Sequence, residues 1–218
     1  MGSSTVELGA QEQQPTSVPE LENGDRLTSA EFLRRYKVSP DLKKAQLIEG
    51  IVHMPSPVRA DAHAKPDGLI QGWLFSFSLT RPDLEVYPNA TIVLDSDNTL
   101  QPDAIFCSAP RAGGRVWLNQ KGYLCGAPEI VCEVAASSAT VDLHSKKEAY
   151  RRNGIGEYIV WLTQENKVRW LTLVEDHFEE RELESGNVES TQFPGLILDV
   201  AALLAFDKVK LIAALSAE

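Results

Sequence analysis

The chain has 218 residues, of which 43% are hydrophobic and 24% charged, and these proportions are typical of a soluble globular protein with one core. Its formal net charge of −10 argues against tight non-specific DNA binding, because phosphate backbones are bound by lysine and arginine. The apolar runs are too short for a membrane span, no signal peptide is recognisable, and Cys107, Cys125 and Cys132 lack the spacing of a disulfide framework or zinc ribbon. We expect a cytoplasmic protein whose cysteines are small buried side chains.

The N-terminal part of the sequence differs in composition from the rest. Residues 1–23 are rich in Ser, Gln, Glu, Pro and Gly, which predicts a disordered tail. Residues 24–218 are expected to form a single domain. Its first helix should begin after Thr28, because Thr28 and Glu31 have the spacing of a capping box ahead of an apolar stripe.

A short apolar stretch after this helix predicts a hairpin. Residues 46–54 favour two strands that pivot at Gly50, and Pro55-Ser56-Pro57 should end them. The segment from about residue 60 to residue 79 has apolar residues at helical spacing. It predicts an amphipathic helix that begins or is interrupted near Pro66.

The rest of the chain alternates between strands and helices. Apolar runs predict strands at about 84–87, 90–95, 103–107, 115–118, 129–135, 158–163, 168–174 and 178–183. A helix is predicted over residues 141–153 with Gly154 as its C-terminal cap, and Asp199 should cap a final helix that ends at about residue 215. This order predicts an α/β or α+β domain built on a mixed sheet.

Two carboxylates lie in apolar runs of strand character. Asp103 begins the run Asp-Ala-Ile-Phe-Cys, and Glu133 lies within Glu-Ile-Val-Cys-Glu-Val-Ala. A carboxylate is costly to bury unless a cation or hydrogen bonds compensate it. Mg²⁺ prefers oxygen ligands, commonly one or two carboxylates completed by water and substrate phosphate. If their strands are neighbours, Asp103 and Glu133 form a candidate Mg²⁺ site, in which Mn²⁺ can substitute.

A lysine follows these carboxylates in the sequence. Because side chains alternate along a strand, Glu133 should share a face with Val131 and Ala135, and position 135 supplies no lysine. Lys146 lies about one turn into the predicted helix, and its long stem can reach back to the strand. There its ammonium group would orient or deprotonate an attacking water, or stabilise charge on a phosphate.

Two residues near Lys146 have both a structural and a functional interpretation. Asp142 stands where it can cap the helix or interact with the helix dipole, and it can equally join the site. Tyr150 lies one turn after Lys146, so it can pack against the lysine stem or contribute to the site. The sequence leaves both alternatives open.

In these residues the chain resembles the PD-(D/E)xK restriction-endonuclease-like superfamily, and more closely a family of small bacterial proteins of the Uma-two type, formerly a domain of unknown function. The resemblance covers about residues 25–210. It is carried, in consistent order, by Leu47-Ile48-Glu49-Gly50, Met54-Pro55-Ser56-Pro57, His63, Pro102-Asp103, Pro128-Glu129-Ile130-Val131-Cys132-Glu133-Val134, Ser137-Ser138, Asp142-x-x-x-Lys146, Tyr150 and Gly154-Ile155-x-Glu157-Tyr158.

The resemblance implies a restriction-endonuclease-like mixed sheet flanked by helices, and an Mg²⁺-dependent endonuclease that hydrolyses DNA phosphodiester bonds. It makes Asp103 and Glu133 metal ligands and Lys146 the catalytic lysine. His63 would contact the metal-bound water or the substrate phosphate; a surface or helix-capping role is its alternative. By analogy a homodimer is expected, because two cuts in a duplex suit two-fold symmetry.

Gln46 departs from the family pattern, which often has a glutamate there as an extra site ligand. Glutamine keeps one oxygen but loses the charge, which would weaken metal binding. Together with the net charge of −10, this supports a second hypothesis, a nuclease-fold module that binds or assembles without catalysis. Lys147, Arg151 and Arg152 next to Lys146 favour the first hypothesis, because they offer local positive charge for weak or selective DNA binding.

Overall fold

The computed structural model describes residues 18–42, 44–54, 59–136, 138–183 and 186–216. The α-helices of this part are α1 (Ser29–Tyr36), α2 (Lys65–Ser78), α3 (Ala139–Val141), α4 (Lys147–Arg152), α5 (Val200–Leu204) and α6 (Lys208–Ala213). Its strands are β1 (Gln46–Ile48), β2 (Ile51–His53), β3 (Leu84–Pro88), β4 (Ile92–Val93), β5 (Thr99–Leu100), β6 (Ala104–Ser108), β7 (Val116–Leu118), β8 (Leu124–Gly126), β9 (Ile130–Ala135), β10 (Glu157–Leu162), β11 (Lys167–Val174), β12 (His177–Glu180), β13 (Asn187–Glu189) and β14 (Ile197–Asp199). Five-residue π-helical turns, Ala60–Ala64 and Asp142–Lys146, lead directly into α2 and α4, and short 3₁₀ turns cover Pro110–Ala112 and Ala214–Ser216.

Within the described residues these strands form two six-stranded sheets and one separate pair. The central sheet has the order β12-β11-β10-β9-β6-β3, and the N-terminal sheet has the order β2-β1-β5-β4-β8-β7. Strands β13 and β14 pair with each other. In the central sheet β9 and β10 are parallel, whereas the other neighbours are antiparallel. A parallel pair needs a crossover connection, and the segment from α3 to α4 forms it.

Each face of the central sheet is covered by a helix. One face packs against α2, whose buried side chains include Trp73 and Phe77. The opposite face packs against α4 through Ala149 and Tyr150. The helix that begins directly after Lys146 thus covers one face of the sheet.

Strand β9 is buried along its whole length, and its side chains alternate between the two cores. Cys132 and Val134 belong to the core under α2, whereas Val131 and Ala135 belong to the core under α4. Glu133 therefore shares the α4 face with Val131 and Ala135, as the alternation predicts.

The predicted first helix and the hairpin that follows it are confirmed. The Thr28 side chain accepts a hydrogen bond from the Glu31 N–H at 3.4 Å, and α1 follows. Strands β1 and β2 form an antiparallel hairpin whose turn residues, Glu49 and Gly50, have φ angles of 53° and 72°. Two consecutive positive φ angles are typical of a two-residue hairpin turn.

The tail prediction covers both described and undescribed residues. Residues 1–17 lie outside the described part of the chain, as do Pro55-Ser56-Pro57. Leu21 is buried, and Asn23 Oδ1 accepts a hydrogen bond from the Met54 N–H at 2.9 Å. These contacts place the start of the packed domain before residue 24.

Several predicted elements change in the structure. Strands β5, β8 and β13 were not predicted from the sequence. The strand predicted at residues 90–95 consists of the two residues of β4. The single final helix was a wrong prediction. Asp199 caps α5, but the chain then turns at Phe206, which has φ 56°, and Asp207 caps α6 as a separate helix. The helical segment predicted over residues 141–153 also begins earlier than predicted, at Ala139.

The cysteines are unpaired thiols, of which Cys107 and Cys132 are buried and Cys125 is partly buried. In the described part of the chain, no helix combines the length and the apolar character that crossing a membrane requires.

Candidate active site

Strand pairing brings Asp103 and Glu133 together. Ala104 of β6 lies opposite Cys132 of β9, so the next position along this register sets Asp103 against Glu133. Both carboxylates are buried, with 2% and 4% of their surface exposed. The condition stated for a candidate Mg²⁺ site, that the two strands are neighbours, is therefore met.

The two oxygens of Asp103 have different surroundings. Oδ2 accepts a hydrogen bond from the Val134 N–H at 2.7 Å and lies 3.3 Å from His63 Nε2. Oδ1 is buried without a hydrogen-bond partner among the described residues, and the nearest cation is Lys44 Nζ at 3.7 Å. Burial disfavours the ionised carboxylate, but the His63 hydrogen bond and the Lys44 charge outweigh it and lower the pKa of Asp103. The lowered pKa favours the ionised form of Asp103, and one of its oxygens, Oδ1, accepts no hydrogen bond from the described residues.

The hydrogen bond to Asp103 also acts on His63. It raises the pKa of His63 above the ordinary value, although partial burial of the ring opposes the shift. His63 Nδ1 is buried and has no hydrogen-bond partner among the described residues. The ring contacts the Asp103 carboxylate and caps no helix, whereas the contact of His63 with a metal-bound water or a phosphate stays a prediction.

Glu133 receives two hydrogen bonds on one oxygen. Lys146 Nζ and the Tyr150 hydroxyl donate to Oε1 at 2.8 and 2.9 Å. Burial raises the pKa of Glu133 to about 7, and the negative charges of Asp142 and Asp103 add to the effect, whereas Lys146 opposes it. Glu133 therefore lies in a buried environment that contains more negative than positive charge.

Lys146 lies between two buried carboxylates. Its ammonium is 2.8 Å from Glu133 Oε1 and 2.8 Å from Asp142 Oδ1. Burial alone would lower the pKa of Lys146, but the two carboxylates outweigh burial and raise it. The side chain is therefore held as an ammonium ion.

The interpretation of Asp142 as a helix cap is wrong. The helical segment begins at Ala139, so Asp142 lies inside it and not at its start. The Asp142 side chain accepts a hydrogen bond from the Ser138 hydroxyl and pairs with Lys146, while Tyr158 donates to its carbonyl oxygen at 3.0 Å. Asp142 thus fixes the position of the lysine.

Tyr150 combines packing with a polar contact. Its ring packs against Tyr158 with centroids 4.9 Å apart. The hydroxyl bond to Glu133 shows that packing alone does not describe its role.

Gln46, on β1 of the N-terminal sheet, contacts the segment that leads into Asp103. It is 5% exposed, and its Oε1 accepts a hydrogen bond from the Gln101 N–H at 3.1 Å. Its register partner on β2 is His53, whose pKa is lowered by burial and by the charge of Lys146. The amide oxygen of Gln46 is therefore engaged by the main chain.

Sequence reasoning missed two charged residues near Asp103. Lys44 precedes β1, where no local pattern marks it as a site residue. Asp67 lies one helical turn after His63, and burial together with the charge of Asp103 raises its pKa. The spacing of four residues between His63 and Asp67 was the available signal, because such residues are neighbours on a helix.

A divalent cation fits the donor set of Asp103 and Glu133. The described residues contain no group of three or more His, Cys, Asp or Glu side chains that could hold a metal. Mg²⁺ does not require such a cage, since one or two carboxylates completed by water and phosphate suffice. The unpaired Asp103 Oδ1 and the surplus of buried carboxylates over buried ammonium groups favour a cation here.

The basic segment beside the site is largely neutralised. Lys146 is buried between its carboxylates, Arg151 pairs with Glu148 at 3.0 Å, and Arg152 pairs with Glu49. The local positive charge that the sequence suggested for DNA binding is thus mostly compensated within the protein.

The protein thus combines a mixed sheet flanked by helices with two carboxylates and a lysine that lie beside the central strands of that sheet. The chain belongs to the Uma2 family, whose model, described as "Putative restriction endonuclease", matches residues 29–201. The chain is also similar to a solved structure from Anabaena variabilis ATCC 29413, described as "a putative nuclease belonging to DUF820". The two share 15% identity with a TM-score of 0.62, over 83% of this chain and 98% of that one, so this likeness supports the fold. No curated protein matches the chain.

Proposed function

We propose that the protein is an Mg²⁺-dependent endonuclease that hydrolyses DNA phosphodiester bonds. The observation that carries the proposal is the buried cluster in which Asp103 lies one position beyond the paired register of β6 and β9, opposite the position of Glu133, and Lys146 lies 2.8 Å from Glu133. Membership in a family described as "Putative restriction endonuclease" supports this reaction class and DNA as the substrate.

The two carboxylates are the residues that would hold the ion. Mg²⁺, or Mn²⁺ in its place, would supply a Lewis acid for the phosphate and an activated water. Asp103 is suited to this role because its lowered pKa favours the ionised form and its Oδ1 is buried without a hydrogen-bond partner among the described residues. Glu133 is suited to it because neighbouring negative charge makes a cation favourable beside it.

Lys146 and His63 have complementary roles. Because its pKa is raised, Lys146 is a poor base, so we assign its ammonium to orienting the water and stabilising charge on the phosphate. His63 positions Asp103 through Nε2 and leaves Nδ1 for a phosphate oxygen or a water.

Plasmid cleavage tests the proposal. The wild-type protein with Mg²⁺ or Mn²⁺ should nick supercoiled plasmid, and Asp103→Asn, Glu133→Gln and Lys146→Ala should each reduce the rate by about 100-fold or more. Lys208→Ala is the matched control, because Lys208 is an exposed lysine of α6 and the variant should cleave like wild type. Cleavage that survives in Asp103→Asn would refute the assigned site.

A binding or assembly module without catalysis is the second candidate. Gln46 favours it, because a neutral amide stands where the resemblance expects a carboxylate and its oxygen is already engaged by Gln101. This candidate predicts no Mn²⁺ binding in calorimetry. Mn²⁺ binding at millimolar or lower concentration that is lost in Glu133→Gln would exclude it in favour of the nuclease. A homodimer, which light scattering can detect, is compatible with either candidate.

A further inference from the structure

The edge of the N-terminal sheet carries an exposed apolar strand. Among the described residues, strand β7 is the last strand of this sheet and pairs there with β8 alone. Trp117 and Leu118 of β7 are 55% and 61% exposed. We call residues 115–126, which comprise β7, the turn and β8, the edge hairpin.

Trp117 differs from the other tryptophans of the chain. The sequence has four, and Trp73, Trp161 and Trp170 are at most 1% exposed. The Trp117 ring lies against Gly126, where a Cβ atom would come within 2.7 Å of it. One side of the indole is thus backed by a glycine, and more than half of the residue is open to solvent.

The turn of the edge hairpin is well ordered by hydrogen bonds. Asn119 Oδ1 accepts from the N–H groups of Lys121 and Tyr123 at 2.9 and 3.1 Å, and the Asn119 N–H donates to the Tyr123 carbonyl at 2.9 Å. Lys121 is exposed on this turn and pairs with no described carboxylate. The hairpin therefore presents an aromatic ring and a free ammonium group on a preorganised frame.

The charge around the hairpin is opposite to that of the chain. Residues 104–128 contain three cations, Arg111, Arg115 and Lys121, and no Asp or Glu, whereas the chain as a whole carries −10. Arg111 lies 3.1 Å from Asp83 in an exposed and therefore weak pair. Arg115 lies 4.0 Å from the largely buried Glu129 and donates a hydrogen bond to the Gly154 carbonyl at 3.1 Å, so Lys121 is the cation of this segment that is left for a ligand. A polyanion is the partner that this local charge complements.

We propose that the edge hairpin binds single-stranded DNA, with Trp117 stacking on an unpaired base and Lys121 interacting with the phosphate backbone. Solvent-exposed aromatic rings beside cations are the elements with which proteins bind single strands. The inference rests on the proposed function for the choice of DNA as the nucleic acid. Under this inference, the substrate is DNA that contains an unpaired segment.

The hairpin belongs to the same sheet as Gln46. Strand β7 is four strand positions from β1, which carries Gln46, and this corresponds to about 19 Å. Gln46 in turn accepts a hydrogen bond from the Gln101 N–H, two residues before Asp103. DNA bound at the hairpin would extend along this sheet toward the segment that carries Asp103.

A second copy of the chain fits the hairpin less well than DNA. Antiparallel pairing of two β7 strands around Trp117 would bring together two segments that each carry Arg115 and Lys121 without an acidic residue. Repulsion between like charges opposes this pairing.

The test measures binding of the full-length protein to a fluorescently labelled dT20 oligonucleotide in EDTA, where no metal supports cleavage. Trp117→Ala should weaken binding by roughly 5- to 150-fold, and Trp117→Phe should restore part of it. Lys121→Ala should reduce the slope of log affinity against log salt by about 0.7. Leu118→Ala is the matched control, because Leu118 is equally exposed on the same strand but points to the other face and should bind like wild type.

Tryptophan fluorescence gives an independent readout of stacking. Because the other three tryptophans are buried, dT20 should quench the signal of Trp117, and the quenching should disappear in Trp117→Phe. Unchanged affinity and quenching in the Trp117 variants would overturn the inference. It would also be overturned if Trp117→Ala converted a dimer to a monomer in light scattering without changing DNA affinity.

These outcomes separate the inference from the proposed nuclease activity. Plasmid cleavage by wild type together with unaltered dT20 binding in Trp117→Ala would refute the hairpin and leave the nuclease intact. Weakened dT20 binding in Trp117→Ala in a protein that cleaves no DNA would support the hairpin and refute the nuclease.

Discussion

The ammonium group of Lys146 lies 2.8 Å from Glu133 Oε1, although the lysine is on the crossover helix and the glutamate is on a strand. Ala135, which shares the face of Glu133, is buried in the core with Tyr150. A lysine at position 135 would have to displace this packing. The crossover between β9 and β10 therefore delivers the positive charge that the strand itself does not carry.

Removal of Lys146 should destabilise the fold. Lys146→Ala leaves Glu133 and Asp142 as buried carboxylates without their cation, and we expect the free energy of unfolding at pH 8 to fall by about 3–5 kcal/mol. Urea unfolding followed by circular dichroism measures the change. Lys208→Ala, at an exposed position, should stay within about 0.5 kcal/mol of wild type. Equal stability of Lys146→Ala and wild type would contradict the buried pairing.

The stability of the metal-free protein should decrease as the pH rises from about 4.5 to about 7. In this range Glu133 is protonated in the folded protein, where its pKa is about 7, but ionised in the unfolded chain, where it is 4.5. The folded state then binds more protons than the unfolded state, so raising the pH favours unfolding. Urea midpoints at pH 5 and pH 8 measure the effect, and Glu133→Gln should reduce the difference between them. If the stability of the wild-type protein changed between pH 5 and pH 8 by the same amount as that of Glu133→Gln, the result would contradict the raised pKa of Glu133.

Loss of the Tyr150 hydroxyl should make Glu133 harder to ionise. Tyr150→Phe keeps the ring but removes a hydrogen bond to Glu133 Oε1, and such a bond favours the ionised form. The pH at which Mn²⁺ binding reaches half its maximum should therefore move upward, by about one unit, if the bond contributes about 1.4 kcal/mol. Calorimetric titrations at several pH values measure it.

Tyr158→Phe is the matched control for that experiment. It removes a hydroxyl from the neighbouring ring, but one that donates to the carbonyl oxygen of Asp142 and not to a site carboxylate. Its midpoint pH should stay close to that of wild type. Equal shifts in both variants would show that general loosening of the core, not the bond to Glu133, causes the change.

Asp103 and Glu133 could be identified from the sequence because local patterns mark both strands, whereas the sequence did not predict that these strands are neighbours. Each carboxylate interrupts an apolar run, and the alternation along β9 gives the face of Glu133 correctly. The approach of Lys146 to the strand was also predicted, although the helical segment begins at Ala139 and the lysine therefore lies farther than one turn into it. These features depend on residues that are close in sequence or on the regular period of a strand.

The contacts that the sequence did not reveal depend on tertiary placement. Lys44 precedes a strand of the other sheet, and its distance to Asp103 is set by how the two sheets meet. The role of Asp142 changed because the helix begins at Ala139 and continues through a π-helical turn, for which no simple spacing rule exists. Strands such as β5, of two residues, are too short to show a period.

Gln46→Glu should strengthen metal binding. Gln46 lies on β1 beside the site, and a carboxylate there adds negative charge while an oxygen can still accept the Gln101 N–H. We expect Mn²⁺ affinity at pH 8 to rise about tenfold, since more ligand charge favours a divalent cation. The metal-free variant should be less stable than wild type, because the added charge is buried near Asp103 and Glu133. Calorimetry and urea unfolding measure the two effects, and Gln101→Glu, on a neighbouring and less buried side chain, is the control. Weaker or unchanged Mn²⁺ binding in Gln46→Glu would show that residue 46 does not face the ion, and Gln46 would then no longer support the non-catalytic candidate.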